Sequence, residues 1–299
     1  MPVVANTLKT FDQVGKKEDV EDIIYDISPT DTVFLSSIGT STAKATLHQW
    51  LQDSLATPAA NALVEGADAG AASTVTQEVK TANTQIFGKV VQVSGTAESV
   101  EAYGRSSDLA LAIAKAGKEC KRDIEFAMVG NGQAGTAGNG STARQLTSAQ
   151  NQISSATTNT AGSNRALSEA LVLDVMQKVF VEGGNPTQMQ VTPSHASVVA
   201  GFATASGRQR DFGTGTTVVS AVDILVTPFG TISVVPSRQQ QANSALIIDP
   251  EYWSRAVLRP MTTTVLAKTG DSDKRQLLTE LTLVCENDKA SGKIDALTA

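Results

Sequence analysis

Residues 54–84 carry almost nothing that could build a core. The stretch includes Ala59-Ala60 and the run Gly66-Ala67-Asp68-Ala69-Gly70-Ala71-Ala72, and a segment so poor in large side chains cannot bury enough apolar surface to order itself. Strand-like stretches flank it. Residues 47–52 read as an outgoing strand and 85–93 as a returning one, with Val91 and Val93 on one face and Ile86 and Val90 on the other. Together they read as a long two-stranded extension. Fixing about 55 residues of this kind costs on the order of 50–100 kcal/mol of conformational entropy. If apolar burial at roughly 25 cal/mol per Å² were the only offset, about 2,000–4,000 Å² would have to be covered, beyond a standard two-partner interface. Several neighbours must clasp such an arm.

Behind the extension lies one long amphipathic run, residues 108–130. Ser106 and Ser107 stand where an N-cap belongs, Asp108 places a negative charge in the first turn, and Gly130, Asn131 and Gly132 close it. Leu109, Ile113, Ala116, Cys120, Ile124 and Ala127 recur at three- and four-residue steps, which buries one stripe. At 1.5 Å per residue the run would span roughly 35 Å, the length of a strut.

Upstream, residues 1–43 read as an arm with one short helix, 18–27, that stops at Ser28-Pro29. Downstream, 131–164 is a Gly-, Ser-, Thr- and Asn-rich connector, expected to be irregular surface structure despite Leu146 and Ile153. An α+β module follows. It comprises helix 167–182, striped by Leu167, Leu171, Val175 and Val179 and stopped by Gly183-Gly184-Asn185-Pro186; strand 189–192; a helix capped by Ser194 and running through Phe202; and paired strands 218–226 and 231–235. Strand 245–248 leads through Asp249-Pro250-Glu251-Tyr252-Trp253 into 256–258. Residues 263–267 and 277–285 then form a second hairpin with the polar tip 268–274.

Chemical motifs are sparse. Gly130-Asn131-Gly132-Gln133-Ala134-Gly135 matches the dinucleotide pattern in letters, but it follows a helix where that site needs a strand. Asp271 and Asp273 could touch a cation, although Lys268, Lys274 and Arg275 around them favour charge pairing between subunits. His48 and His195 are the only histidines and have no ligand spacing. Cys120 and Cys285 lack partners and fit a reduced protein. Trp50, on the projecting arm, is a candidate interface anchor; Tyr252 and Trp253 fit packing as well. Lys44, Lys80 and Lys89 raise the chemistry of a lysine crosslink, which no residue pattern requires.

The net charge of -6 gives no basic footprint for specific nucleic-acid binding. No stretch reaches the ~20 apolar residues of a membrane span, and no secretory pattern opens the chain.

The order of parts, together with Ile27-Ser28-Pro29-Thr30-Asp31-Thr32-Val33-Phe34, Asp249-Pro250-Glu251-Tyr252-Trp253 and Leu266-Ala267-Lys268-Thr269-Gly270-Asp271, resembles the major capsid proteins of tailed bacteriophages, the Hong Kong ninety-seven type of fold. The resemblance implies an α+β shell subunit with an N-arm (1–43), an extended E-loop (44–100), a spine helix with peripheral domain (101–165), an axial domain (166–248) and a return to the peripheral domain (249–299). No fused scaffolding segment is expected. It further implies assembly with copies of itself into pentamers and hexamers of an icosahedral virion head, built in the host bacterial cytoplasm around double-stranded DNA that is not specifically recognised. Portal, scaffolding or decoration proteins are the further partners; no cofactor, metal, catalysis or membrane is implied. Trp50, Lys268, Asp271, Asp273, Lys274 and Arg275 are the candidate intersubunit contacts. A bacterial nanocompartment shell of the same fold is the alternative, and a metal-dependent hydrolase using Asp271 and Asp273 is a rival from another class.

Overall fold

The long run after the extension forms as its caps dictate. In the computed structural model, which describes residues 31–66, 68, 70, 77–100, 107–205 and 224–298, the Ser107 hydroxyl accepts the Ala110 N–H at 3.1 Å and opens the helix. The expected helix 18–27, Ser106 and strand residues 218–223 lie outside the described residues.

In chain order the elements are α1 (Val33–Ser37), β1 (Gly39–Thr42), β2 (Leu47–Gln52), β3 (Glu78–Asn83), β4 (Gln85–Ser94), α2 (Gly95–Ser99), α3 (Asp108–Glu125), α4 (Ala149–Gln152), β5 (Thr158–Asn159), α5 (Glu169–Val181), β6 (Gln188–Val191) and α6 (Pro193–Ala205). Then come β7 (Ile224–Thr227), β8 (Gly230–Pro236), β9 (Ala245–Ile248), β10 (Trp253–Val265), β11 (Ser272–Cys285) and β12 (Gly292–Ile294).

The α3 stripe buries Ala116, Cys120 and Ile124. Its last turn widens into a π-turn, Phe126–Gly130, closed by Asn131 N–H to Phe126 O at 2.8 Å. A side chain at Gly130 would strike the Gln239 carbonyl oxygen and the Phe126 ring, so glycine there serves close packing.

A four-stranded sheet in the order β1-β10-β11-β4 lies against α3. This corrects the expected pairing. β4 pairs with β11 along its whole length, while β2 pairs with β3, a strand read as part of the featureless insert. Glu78–Asn83 has no alternating apolar face, because a two-stranded ribbon has no core to fill. The second hairpin is also longer than expected: 256–258 and 263–267 belong to one strand, bulged on both sides of Arg259 and interrupted in the reading by Pro260.

The second sheet runs β5-β12-β9-β6-β8-β7, with α5 and α6 packed on it. β9 joins two cores. Ala245 and Ile247 enter the cluster with α5, Leu246 and Ile248 the cluster with α3 and Trp253, which explains an unbroken apolar strand. Trp253 is fully buried, meets the Phe34 ring edge-on at 5.7 Å and donates its indole N–H to Ser291 Oγ at 2.9 Å.

Two local expectations change. Thr192, not Ser194, caps α6, its hydroxyl accepting the His195 N–H at 3.3 Å with Pro193 in the opening turn. Leu146 and Ile153, expected on a surface connector, are buried in the α3 core, and Gln150 donates from there to the Val129 carbonyl.

Candidate assembly interface

The ribbon of β2 and β3 alternates in period two, so its register sorts side chains onto two faces. His48, Trp50, Lys80 and Ala82 face inward; Leu47, Leu51 and Val79 face outward, with Leu51 64% exposed. Trp50 packs against the cluster of Ala43, Ala256 and Val284 of its own chain, as Leu258 does, and its ring lies 6.0 Å from the His48 ring. Gln52 Nε2 donates to the Glu286 carbonyl at 2.8 Å, and Lys80 pairs with Asp288 at 3.2 Å. The inner face is thus seated at home. Beyond Gln52 the chain continues with Leu55 98%, Leu63 82% and Val64 79% exposed.

Thr84 is the single residue between β3 and β4, and charged groups hold it. Its hydroxyl donates to Glu280 Oε1 at 2.8 Å, and its carbonyl accepts from Arg144 Nε at 2.7 Å. Arg144 also pairs with Glu280, and Arg259 Nε donates to Glu280 Oε2 at 2.9 Å. Burial pushes the Glu280 carboxyl up, but the Thr84 hydroxyl and the two guanidiniums outweigh it and hold the group below its ordinary range. The reading of the sequence missed this cluster; its signal was a lone carboxylate inside the apolar run 277–285.

The second hairpin gathers its predicted residues at one place. Lys268 pairs with Asp273 at 2.8 Å, Lys274 Nζ donates to Thr269 Oγ1 at 2.9 Å, and the Asp271 carbonyl accepts from Gly95 N–H at 3.2 Å. The Arg275 Nε is buried without a hydrogen-bond partner among the described residues. Hydrogen bonding to Lys268 holds the Asp273 carboxyl low. Trp50 does not join this group; it packs at the opposite end of β10 and β11.

Among the described residues no three His, Cys, Asp or Glu side chains converge as a metal site. His195 Nε2 lies 2.9 Å from the Thr298 carbonyl, which can only accept, so Nδ1 accepts from the Thr192 hydroxyl 2.9 Å away. Cys120 and Cys285 are both buried, and burial pushes both thiols up. The arrangement offers surfaces for contact: an apolar outer ribbon face, an extended apolar tip and a charged hairpin end.

The sequence model of a family described as SU10 major capsid protein matches residues 4–298. The major capsid protein of Escherichia phage Phieco32 is 27% identical over 335 aligned residues, covering 95% of each chain. The fold is similar to a subunit of the cyanophage A-1(L) capsid, with a TM-score of 0.70 at 13% identity over 97% of this chain and 99% of that one. It is also similar to the SrpI encapsulin from Synechococcus elongatus, with a TM-score of 0.63 at 9% identity over 95% and 92% of the two chains. At such identities the likeness to the two solved structures is one of fold.

Proposed function

Because the chain belongs to the SU10 major capsid protein family, it is a structural subunit of a phage virion shell with the tailed-phage capsid fold, and we propose that its projecting arm drives assembly into pentamers and hexamers of an icosahedral head. The supporting observation is the outer ribbon face with its tip: Leu47, Leu51, Leu55, Leu63, Val64 and Val79 are all exposed large apolar side chains on one arm, more than a lone soluble subunit leaves uncovered in one place. Repeated weak contacts of this kind give a durable container while letting misplaced subunits dissociate.

In this reading residues 44–100 form the E-loop, 101–165 with 249–299 the peripheral domain around the four-stranded sheet, 166–248 the axial domain, and 1–43 the arm. The hairpin end with Lys268, Asp271, Asp273, Lys274 and Arg275 lies where capsomers meet and sets register through charge. Trp50 acts from within, fixing the angle of the ribbon. The head is assembled in the host cytoplasm and encloses double-stranded DNA without reading its sequence, as the net charge of -6 favours. Portal, scaffolding or decoration proteins complete it, and the subunit performs no catalysis. The nanocompartment alternative shares the fold, whereas the phage reading draws on a family match along nearly the whole chain.

The test is electron microscopy with light scattering on the purified wild type and on the double variant Leu51→Asp, Val79→Asp. Closed shells, tubes or rings are expected from the wild type, and folded but unassembled protein from the variant. A wild type that stays monomeric at high concentration, or a variant that assembles as well as the wild type, overturns the proposal.

A further inference from the structure

α3 carries its cations on one side. Four of the chain's 24 lysines and arginines fall within residues 115–122, although the net charge is -6. At 3.6 residues per turn Lys115, Lys118 and Arg122 stand opposite the buried stripe of Ala116, Cys120 and Ile124, with Lys121 beside them. The helix packs on β4 and β11, α2 meets its first turn and α1 its last. Between those ends Lys115, Lys118 and Lys121 are exposed. The acids of the same stretch, Glu119 and Asp123, turn to Lys89 of β4, at 3.8 and 2.8 Å. Lys115, Lys121 and Arg122 have no anionic partner among the described residues.

We propose that this side of α3 faces the interior of the head and rests on the phosphates of the packaged duplex. The proposal rests on the shell reading and adds which side of the subunit lines the chamber. From Lys115 to Lys121 the helix rises about 9 Å, the axial span of two or three successive phosphates on one strand. Cations so placed read charge and no sequence. With about three phosphates neutralised per subunit, affinity falls about fortyfold between 50 and 200 mM salt. Each contact is weak enough for the duplex to slide past as it enters, and many copies add up to a lining. The competing anion is the chain's own acidic segment Glu18-Asp19-Val20-Glu21-Asp22, followed by Ile23 and Ile24. The stripe offers those apolar residues only Ala114 and Gly117, too small to make the apolar centre of a protein interface. A polar, strongly positive surface suits nucleic acid.

The experiment uses particles of the full-length protein, briefly treated with acetic anhydride while filled and again after release of their DNA, with the rate at each lysine read by mass spectrometry. Lys115 and Lys121 are expected to react about tenfold slower in filled particles, the rate left by a contact occupied nine-tenths of the time. Lys268, exposed at the hairpin end, should react alike in both. Equal rates at Lys115 and Lys121 overturn the proposal while leaving the shell reading intact. So does slow reaction that persists after the DNA has gone, which would give the stripe to a protein anion. A wild type that forms no particles removes both readings. In parallel, Lys115→Glu with Lys121→Glu, both at exposed positions, is expected to assemble like the wild type and to release DNA at a lower temperature. Release at the wild-type temperature, or failure to assemble, overturns the contact.

Discussion

Thr84 and Glu280 stand 196 positions apart in sequence, yet the threonine hydroxyl donates to the carboxylate at 2.8 Å and ties the root of the arm to β11. The Arg144 and Arg259 guanidiniums complete the group, so this carboxylate answers to three segments of chain. Glu280→Ala would leave Arg144 without its anion in a largely buried place. It is expected to cost about 2–3 kcal/mol, the half-exposed Arg259 lessening the loss. Urea unfolding of the unassembled subunit measures this directly, and an unchanged midpoint would contradict it.

The same group gives an acid limb. Its pKa is lower folded than unfolded, so its contribution is fully present above the unfolded value of 4.5 and disappears as pH falls through the folded one. The stability advantage of wild type over Glu280→Gln should therefore shrink steadily below about pH 4.5. Parallel denaturation curves at a series of acid pH values would show it.

Glu125 has the opposite sign. It is fully buried and accepts the Phe34 and Leu35 N–H groups at 2.8 and 2.7 Å, capping α1. Burial pushes its carboxyl up, and the two N–H donors only partly offset that. With a raised folded pKa, the stability it contributes is present below 4.5 and is lost as pH rises through the folded value. Glu125→Gln should match the wild type in acid and exceed it near neutral pH. Should the variant be the weaker protein at neutral pH, the N–H donors outweigh burial.

Gly130→Ala is expected to cost about 1–3 kcal/mol, since its methyl group would press on the Gln239 carbonyl and the Phe126 ring at the π-turn. Thermal melts of the pair would settle it, and a variant melting with the wild type would mean that the turn yields freely.

The parts of the fold that were legible are those where a face is buried or an end is capped. Ser107 starts α3 where its side chain said it would, and 47–52 and 245–248 match β2 and β9 to the residue. β3 was illegible because both faces of Glu78–Asn83 carry polar residues, and its partner is a ribbon strand without a core. β10 read as two pieces because Pro260 and the bulges beside Arg259 interrupt its alternation. Of the candidate site, the charges 268–275 were visible as a group; that Lys268 and Asp273 satisfy each other within the chain was not.

The two cysteines are buried in the core around α3, and burial pushes both thiols up, so the folded subunit is expected to react slowly with thiol reagents. A cysteine placed at any exposed position would therefore be the one fast-reacting thiol on each subunit. A dye, spin label or peptide attached there would report from one known address repeated across the particle, with no native residue needing removal first.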